Sequence, residues 1–367
     1  MKNTDNIIGE RLLSLDFFRG ITMFLLVAEF TNFSSYLVSP QLEGTFIHAL
    51  GVQLEHHPWN GLRFWDLIQP FFMFIVGVAM PLSFAKRSSK GESYDQILHH
   101  TLKRSFLLLL LGWGLYCIPY GKVTFYFQNV LAQLSVTILI SFLIMRKPAL
   151  IQILISIGLL ALTEFLYRSF WIEGYNQPFT ADHNFGSWVD MLISGKLSGG
   201  HWASFNAIPT TAQTIWGVLA GKLLMSDKTG KKKLQIMVIA GISGLIIGFG
   251  LNPITPIIKR IATTSFVFAS GGWAFLALAL SYWLIDMLKF QKGILFFTVV
   301  GMNSLFIYLF ASVGGANMVN KIVAPFSWAV FSWAGDLYLG LVTSLISIFL
   351  LWYICYWMYK NKIFIKI

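Results

Sequence analysis

Two adjacent histidines, His56 and His57, precede a Pro-Trp-Asn-Gly turn in the stretch LEHHPWNGLRFWD, which lies between two long apolar segments. An imidazole can exchange a proton at neutral pH or carry an acyl group when neighbouring groups orient it. Asp66 ends the stretch, just inside the second apolar segment. The stretch is therefore a candidate catalytic site, although adjacent histidines at a membrane surface are more often solvated or interfacial. The histidines and cysteines form no recognisable set of zinc ligands, so we expect no metal.

A second candidate carboxylate, Glu29, lies in the first apolar segment within LLVAEFTNF, and Asn32 follows it by three residues. Ionisable groups inside a bilayer are costly and mark functional sites by default. Glu29 has no partner nearby in the sequence, so we expect it to face the bundle interior or a wet cavity. If Asn60 caps the second helix, Asp66 lies roughly one and a half turns further along.

Asp16 and Arg19, in RLLSLDFFRG, are three residues apart and so share one face of a helix. They could form an internal ion pair that fixes a helix contact. They could also form a polar wall for an anionic ligand on the cytoplasmic side. The spacing leaves both interpretations open.

The composition indicates what kind of scaffold positions these residues. Of 367 residues, 56% are hydrophobic and 12% are charged, whereas soluble domains carry roughly twice that charged fraction. Apolar stretches of about 20 residues, enough to cross a hydrocarbon core of about 30 Å, recur along the chain. We therefore predict an all-α polytopic membrane protein with about ten transmembrane helices. The predicted spans lie near residues 13–38, 62–84, 101–120, 127–145, 149–167, 208–225, 234–251, 262–286, 293–314 and 337–359.

The net charge of +11 reports orientation rather than nucleic-acid binding. Lys and Arg residues are concentrated at both ends of the chain, including Lys2, Arg11 and Lys366, and in every second loop. The positive-inside rule then places both termini in the cytoplasm. The first apolar segment is long, contains charges and lacks a cleavage site, so we expect no cleavable signal peptide.

We predict a single transmembrane domain over residues 1–367, with the loop 168–207 covering the extracytoplasmic side. This loop is rich in Trp, Gly, Asn and His, which suits a lid over a polar ligand, although interfacial aromatic residues alone would explain it. The segment 320–335 is predicted to be interfacial or re-entrant. Small-residue pairs are assigned to close helix packing, namely Gly217 with Gly221, Gly244 with Gly248, and Gly271 with Gly272.

Five segments together resemble the heparan-α-glucosaminide N-acetyltransferase family and its bacterial relatives. They are RLLSLDFFRGITMFLLV, HHPWNGLRFWDLIQPFFMFIVGVAMPLS, IPTTAQTIWGVLAGKLL, TTSFVFASGGWAFLALALSYWLID and VVGMNSLFIYLF. The resemblance runs from about Arg11 to the last span, and the run from the histidines through WNGL is its most specific part. The extra luminal domain of the lysosomal enzyme is expected to be absent.

The resemblance implies transfer of an acetyl group from cytoplasmic acetyl-CoA to an amino sugar across the membrane. The family's catalytic histidine stands three residues before the Trp of WNGL, which selects His56 over His57. The family also has an asparagine late in the first core helix. Here Glu29 or Phe30 takes that place, with Asn32 slightly beyond, and Glu29 would orient or deprotonate in its stead.

The resemblance also suggests where the substrates bind. Arg19 would meet the CoA phosphates together with loop lysines, with Asp16 beside it in the candidate CoA-binding set. The turn at Trp59 and Asn60 would aim His56 into the bundle. Other residues of this candidate binding set are Asn32, Asn303 and Tyr308, although the last two are equally suited to a packing hydrogen bond. A homodimer is plausible for the family.

Other functions remain open at this point. A permease for sugars or their fragments would favour internal repeats, and none is convincing here. A non-catalytic sensor or envelope scaffold would not need the polar cluster around His56. Among enzymes, O-acetylation of a polysaccharide competes with N-acetylation of glucosamine. The compact chain is expected to be a multi-pass protein of a bacterial inner membrane.

Overall fold

Helices account for all regular secondary structure in the part of the chain that the computed structural model describes, residues 12–365 and 367. The predicted all-α fold is therefore confirmed for these residues. The longer helices and the short ones near the candidate site are α1 (Leu13–Glu29), α2 (Phe33–Leu37), α3 (Phe46–Gln53), α4 (Ile68–Ser88), α5 (Tyr94–Tyr120), α6 (Val130–Ile144), α7 (Ala149–Ser169), α8 (Phe185–Ser194), α9 (Ala207–Met225), α10 (Gly230–Leu251), α11 (Thr264–Ser281), α12 (Ile294–Met302), α13 (Ser304–Phe310), α14 (Ala316–Phe331) and α15 (Asp336–Lys360).

Seven helical stretches in the described residues are long and apolar enough to cross a membrane, which supports an integral membrane protein. The predicted number of about ten is not confirmed, and neither is the orientation of the termini. Lys2, Arg11 and Lys366, which enter the charge argument, lie outside the described residues. The seven stretches are Phe64–Ser88, Tyr94–Tyr120, Ala149–Ser169, Gly230–Leu251, Thr264–Met287, Ser304–Ala334 and Asp336–Lys360.

One predicted boundary differs from the structure. Residues 320–335 were expected to form an interfacial or re-entrant piece, but most of them belong to α14, within the helical stretch Ser304–Ala334. A π-helical turn at Ala311–Gly315 connects α13 to α14, and Gly314 absorbs the irregular backbone with a φ of 101°. Because glycine tolerates this conformation, the helix continues past a sequence that looks broken.

Contacts between Cα atoms divide the chain into two compact units. Among the described residues, the first unit contains residues 12–15, Pro58–Leu62 and Gln69–Leu288. The second unit contains Asp16–His57, Arg63–Ile68, residues 289–365 and Ile367.

Close helix packing in the first unit depends on glycine. A Cβ atom at Gly217 or Gly221 of α9 would collide with backbone oxygens of α4. Gly244 of α10 similarly faces the backbone of Gly272 in α11, and Gly271 lies against the Trp216 ring. The predicted packing role of these small-residue pairs is confirmed.

The loop between α7 and α9, also in the first unit, is folded. It contains α8 and a short 3-10 helix, Ser204–Asn206. Phe185 and Ala203 from this loop join Tyr167, Ile258 and Ile261 in a buried hydrophobic cluster. Backbone and side-chain hydrogen bonds to the carbonyl of Arg260 close the loop onto the connection between α10 and α11.

The second unit is built around α1, and small residues let its helices approach. Gly20 in α1 meets the backbone of Phe297 in α12, and Gly301 of α12 meets Gly20 in turn. Gly340 of α15 leaves room for the ring of Tyr36, which follows α1. These contacts fix α1, and with it Glu29, within the unit that also carries His56.

Candidate active site

His56 lies in the second unit, in the connection between α3 and a short 3-10 helix, Phe64–Leu67. Its Nδ1 atom is 3.2 Å from Oδ1 of Asp66. The Arg63 guanidinium donates a hydrogen bond to the carbonyl oxygen of His56 at 3.0 Å. The side chain and the main chain of His56 are therefore both held, while 33% of the side-chain surface remains exposed.

Asp66 is almost fully buried, with 1% of its side-chain surface exposed. Its Oδ2 atom accepts hydrogen bonds from the backbone N–H groups of Arg63 at 3.0 Å and His57 at 3.2 Å. An ionised carboxylate only accepts hydrogen bonds, which suits these two N–H donors. With Asp66 ionised, Nδ1 of His56 carries the proton, and a neutral imidazole has its lone pair on Nε2.

Glu29, the last residue of α1, faces the other ring nitrogen. Its Oε1 atom is 3.8 Å from Nε2 of His56 and accepts a hydrogen bond from the Trp65 indole at 3.1 Å. A separation of 3.8 Å is too long for a direct hydrogen bond but short enough for a strong charge interaction with an imidazolium. The His56 ring is thus flanked by a carboxylate at each nitrogen.

The end of α1 is fixed from two directions in the same unit. The carbonyl oxygen of Thr31 accepts hydrogen bonds from the Asn320 amide at 3.2 Å and from the Ser344 hydroxyl at 2.8 Å. Asn320 belongs to α14 and Ser344 to α15. Two other helices therefore hold the turn that follows Glu29.

This arrangement supports acyl transfer and proton transfer. The basic Nε2 atom can attack an acyl carbon or accept a proton from an attacking amine or hydroxyl. Either step produces positive charge on the ring, and the two carboxylates would stabilise that charge. The relation of Asp66 to His56 corresponds to the acid that orients the histidine in hydrolase triads.

The remaining predicted residues of the second unit lie elsewhere. Asp16 and Arg19 form an ion pair along α1, with 3.7 Å between charged atoms. Asn32 occupies an exposed turn after α1 with a left-handed φ of 62°, and no side-chain hydrogen bond of Asn32 is present among the described residues. Asn32 is thus close to Glu29 in the chain, but it is Glu29 that reaches His56.

Asn303 and Tyr308 follow the break between α12 and α13. The Asn303 amide donates to the carbonyl of Ile363 at 3.0 Å and accepts from the N–H of Ile365 at 3.2 Å. This fully buried side chain holds the C-terminal segment in place. Tyr308 packs edge-on against Phe30, the residue after Glu29. The hydrogen bonds of Asn303 are thus packing contacts between parts of the chain.

Trp59 and Asn60 belong to the first unit. The Trp59 indole donates to the carbonyl of Phe179 at 2.7 Å, and its ring packs edge-on against His201. Asn60 is exposed, and its predicted role as a helix cap is wrong. The helical stretch begins four residues later at Phe64, with Arg63 as the N-cap residue and Asp66 accepting from the Arg63 N–H. The acidic side chain competes better for this N-terminal donor.

Sequence reasoning missed several positioning residues. Within the WNGLRFWD segment, Trp65 donates to Glu29 and Arg63 donates to the carbonyl of His56. Their closeness to Asp66 in the sequence could have indicated this positioning role. Asn320 and Ser344 lie roughly 300 residues from Thr31, with separations of 289 and 313 residues. No local pattern reveals such contacts.

Comparison with known proteins places the chain in a family. A family model described as heparan-alpha-glucosaminide N-acetyltransferase, catalytic, matches residues 11–253. Proteins from Homo sapiens and Mus musculus named heparan-alpha-glucosaminide N-acetyltransferase are 27% and 26% identical, over 97% and 98% of this chain. The chain spans 60% and 61% of the length of these two relatives. It belongs to the heparan-alpha-glucosaminide N-acetyltransferase catalytic family.

Proposed function

We propose that the protein is a membrane acetyltransferase that moves an acetyl group from cytoplasmic acetyl-CoA to a glucosamine-type amino sugar or glycan on the extracytoplasmic side. The observation that carries this proposal is the His56 ring with Asp66 at Nδ1 and Glu29 near Nε2. Two carboxylates, one beside each nitrogen of a histidine ring, have no evident use in a non-catalytic scaffold. The family membership and the names of the relatives support the same reaction class.

The transfer can follow either of two balanced routes. In the first, Nε2 of His56 attacks the thioester carbonyl, the C–S bond breaks and CoA leaves as the thiolate. The acceptor amine then attacks the acetyl-imidazole, and its proton passes to the released histidine. In the second, Nε2 takes the proton while the amine attacks the thioester directly, and the proton leaves with the CoA thiol. Both routes use the same nitrogen.

Glu29 would assist where the family has an asparagine. Its carboxylate would stabilise the acetylated or protonated ring, and it could receive the second proton of an acceptor that arrives as an ammonium ion. An amide cannot take this proton. We infer that Glu29 is part of the catalytic machinery rather than a substitute that only fills space.

The proposal includes the placement of the substrates and the chain. Arg19 would lie on the cytoplasmic side and meet the CoA phosphates, with Asp16 as its ion-pair partner in the binding set, and both termini would lie in the cytoplasm of a bacterial inner membrane. The chain would act as one acyltransferase domain in which the loop 168–207 covers the outer side with Trp59 and Asn60. Asn32, Asn303 and Tyr308 would contribute to the substrate path. A homodimer would be the working form.

The decisive experiment uses purified full-length protein and acetyl-labelled acetyl-CoA with glucosamine as acceptor. Wild type should release CoA and form N-acetylglucosamine. The substitution His56→Ala should lower the rate about 10²–10⁴-fold. His57→Ala is the matched control, because its backbone N–H still donates to Asp66, and it should retain most activity.

Alternative outcomes have distinct meanings. CoA release that survives His56→Ala unchanged would contradict the catalytic assignment. Label recovered only on hydroxyl groups of a polysaccharide would identify O-acetylation instead. Glucosamine flux across proteoliposomes without CoA turnover would indicate a permease. Acetyl label on His56 in the absence of acceptor, released by hydroxylamine and labile in both acid and alkali as an acetyl-imidazole is, would separate the covalent route from direct transfer.

A further inference from the structure

A cavity in the first unit, remote in sequence from His56, is not used by the proposed reaction. It has a volume of about 350 Å³ and lies where the C-terminal ends of α4, α6 and α9 meet. Apolar side chains form most of its wall, and two cations complete it. Its lining residues are Pro81, Phe84, Ala85, Met145, Arg146, Lys222, Met225 and Ser226.

Contacts other than salt bridges hold the two cations in the part of the chain that the structure describes. The Arg146 guanidinium lies over the Tyr94 ring, 5.1 Å from its centroid, and Tyr94 stacks in turn on Phe142. The Lys222 ammonium group donates a hydrogen bond to the carbonyl oxygen of Lys147 at 3.2 Å. Within the described part of the chain, no carboxylate lies within 4.0 Å of either cation. An anion at this rim would therefore meet no competing acidic side chain.

Apolar wall and cationic rim together define the chemistry of the ligand. We propose that this cavity binds an anionic glycerophospholipid, with its phosphate between Arg146 and Lys222 and the start of one acyl chain against Phe84, Ala85 and Met225. Basic pockets between membrane helices on the cytoplasmic side bind anionic headgroups by this combination. The cavity is at the small end of ligand pockets, so it suits one segment of an amphiphile rather than an entire coenzyme.

The position of the cavity on the chain agrees with a membrane-surface site. Its walls come from the ends of three helices. Lys86 and Arg87 lie in the last turn of α4, and Arg146 and Lys147 lie in the loop that follows α6. The positive-inside rule assigns such loops to the cytoplasmic leaflet, where anionic lipids are attracted. Free phosphate would satisfy the cations but leave the apolar wall exposed.

Native mass spectrometry of the full chain, released from nanodiscs with equal amounts of phosphatidylglycerol and phosphatidylcholine, tests this proposal. Wild type should retain phosphatidylglycerol preferentially. The double substitution Arg146→Gln/Lys222→Gln should weaken retention about 30-fold, because each cation near the surface contributes about fivefold. Lys231→Gln/Lys232→Gln removes the same charge from exposed positions outside the cavity and should retain the lipid.

A second variant separates the pocket from its charge. Ala85→Phe should fill the apolar part, preserve both cations and also release the lipid. Equal phosphatidylglycerol retention by wild type and by both cavity variants would overturn the proposal. Displacement of the bound lipid by acetyl-CoA, or by inorganic phosphate alone, at concentrations near that of the protein would overturn it as well, since the site would then recognise nucleotide or free phosphate.

Discussion

Trp65 and Glu29 are 36 residues apart in the chain, yet the Trp65 indole nitrogen donates a hydrogen bond to Oε1 of Glu29 at 3.1 Å. The next residue, Asp66, contacts Nδ1 of His56. Two consecutive residues of one 3-10 turn therefore arrange both carboxylates that flank the imidazole. Trp65 orients Glu29, and Asp66 supplies its own side chain.

The Trp65 indole is predicted to position Glu29. Trp65→Phe keeps a buried aromatic ring but removes the donor, so the Glu29 carboxylate should rotate away from Nε2. We expect kcat to fall about 10- to 100-fold with little change in KM for acetyl-CoA. Glu29→Gln should lower kcat at least as much. If Trp65→Phe lowers activity further in the Glu29→Gln background by the same factor, the two residues act independently and the positioning role is wrong.

Asp66→Asn tests the orientation of His56. The amide can still accept from the Arg63 and His57 N–H groups, so the fold should persist, but it no longer favours a proton on Nδ1. We expect acetyl transfer to decline about 10²–10⁴-fold. Measured as initial rates of CoA release, this loss should exceed that of Asp16→Asn, which removes the carboxylate of the Arg19 ion pair instead. Comparable rates for wild type and Asp66→Asn would contradict the assignment.

Asp190 provides a prediction on pH. It is buried in α8, where burial raises the pKa of its carboxyl group despite hydrogen bonds from Ser204 and Gln128. A raised folded-state pKa favours the protonated form. Its stabilising contribution is therefore present below the unfolded pKa of about 4 and is lost as the pH rises through the folded-state value.

Asp190→Asn should consequently gain stability relative to wild type as the pH rises through this window. Thermal unfolding in detergent from pH 4 to pH 7 should show a growing difference in Tm between variant and wild type. Asp227→Asn, at an exposed position, controls for the removal of one negative charge. A difference that shrinks with rising pH would mean that Asp190 is stabilised as the carboxylate.

Close packing of α4 on α9 depends on Gly217. Gly217→Leu would place its side chain against the backbone oxygen of Phe74, and such overpacking costs about 1–3 kcal/mol or more. We expect a lower Tm and a loss of monodisperse protein in detergent. Gly158→Ala, in a helix with open space around that glycine, should be neutral or slightly stabilising. Equal behaviour of the two variants would show that α9 can shift freely.

Much of this protein could be predicted from its sequence because membrane helices satisfy their own backbone hydrogen bonds. Long apolar stretches therefore predict helices directly, and small-residue pairs such as Gly217 with Gly221 predict where those helices meet. The turn around His56 was also recognisable, since the types and order of its residues are local. The cap assigned to Asn60 was wrong because capping depends on which nearby side chain reaches the free N–H groups, and Asp66 does so.

The sequence by itself determined the helical membrane class and the family, and it predicted His56 rather than His57 as the catalytic histidine. Only the tertiary structure decided that Glu29, rather than Asn32, faces Nε2 of that histidine. The choice depends on the rotation of α1, which packs through Gly20 against the backbone of Phe297, and on the turn after α1, where the carbonyl of Thr31 is held by Asn320 and Ser344. A helix presents a new direction every 100° or so per residue, so contacts from residues far along the chain determine which side chain enters the site.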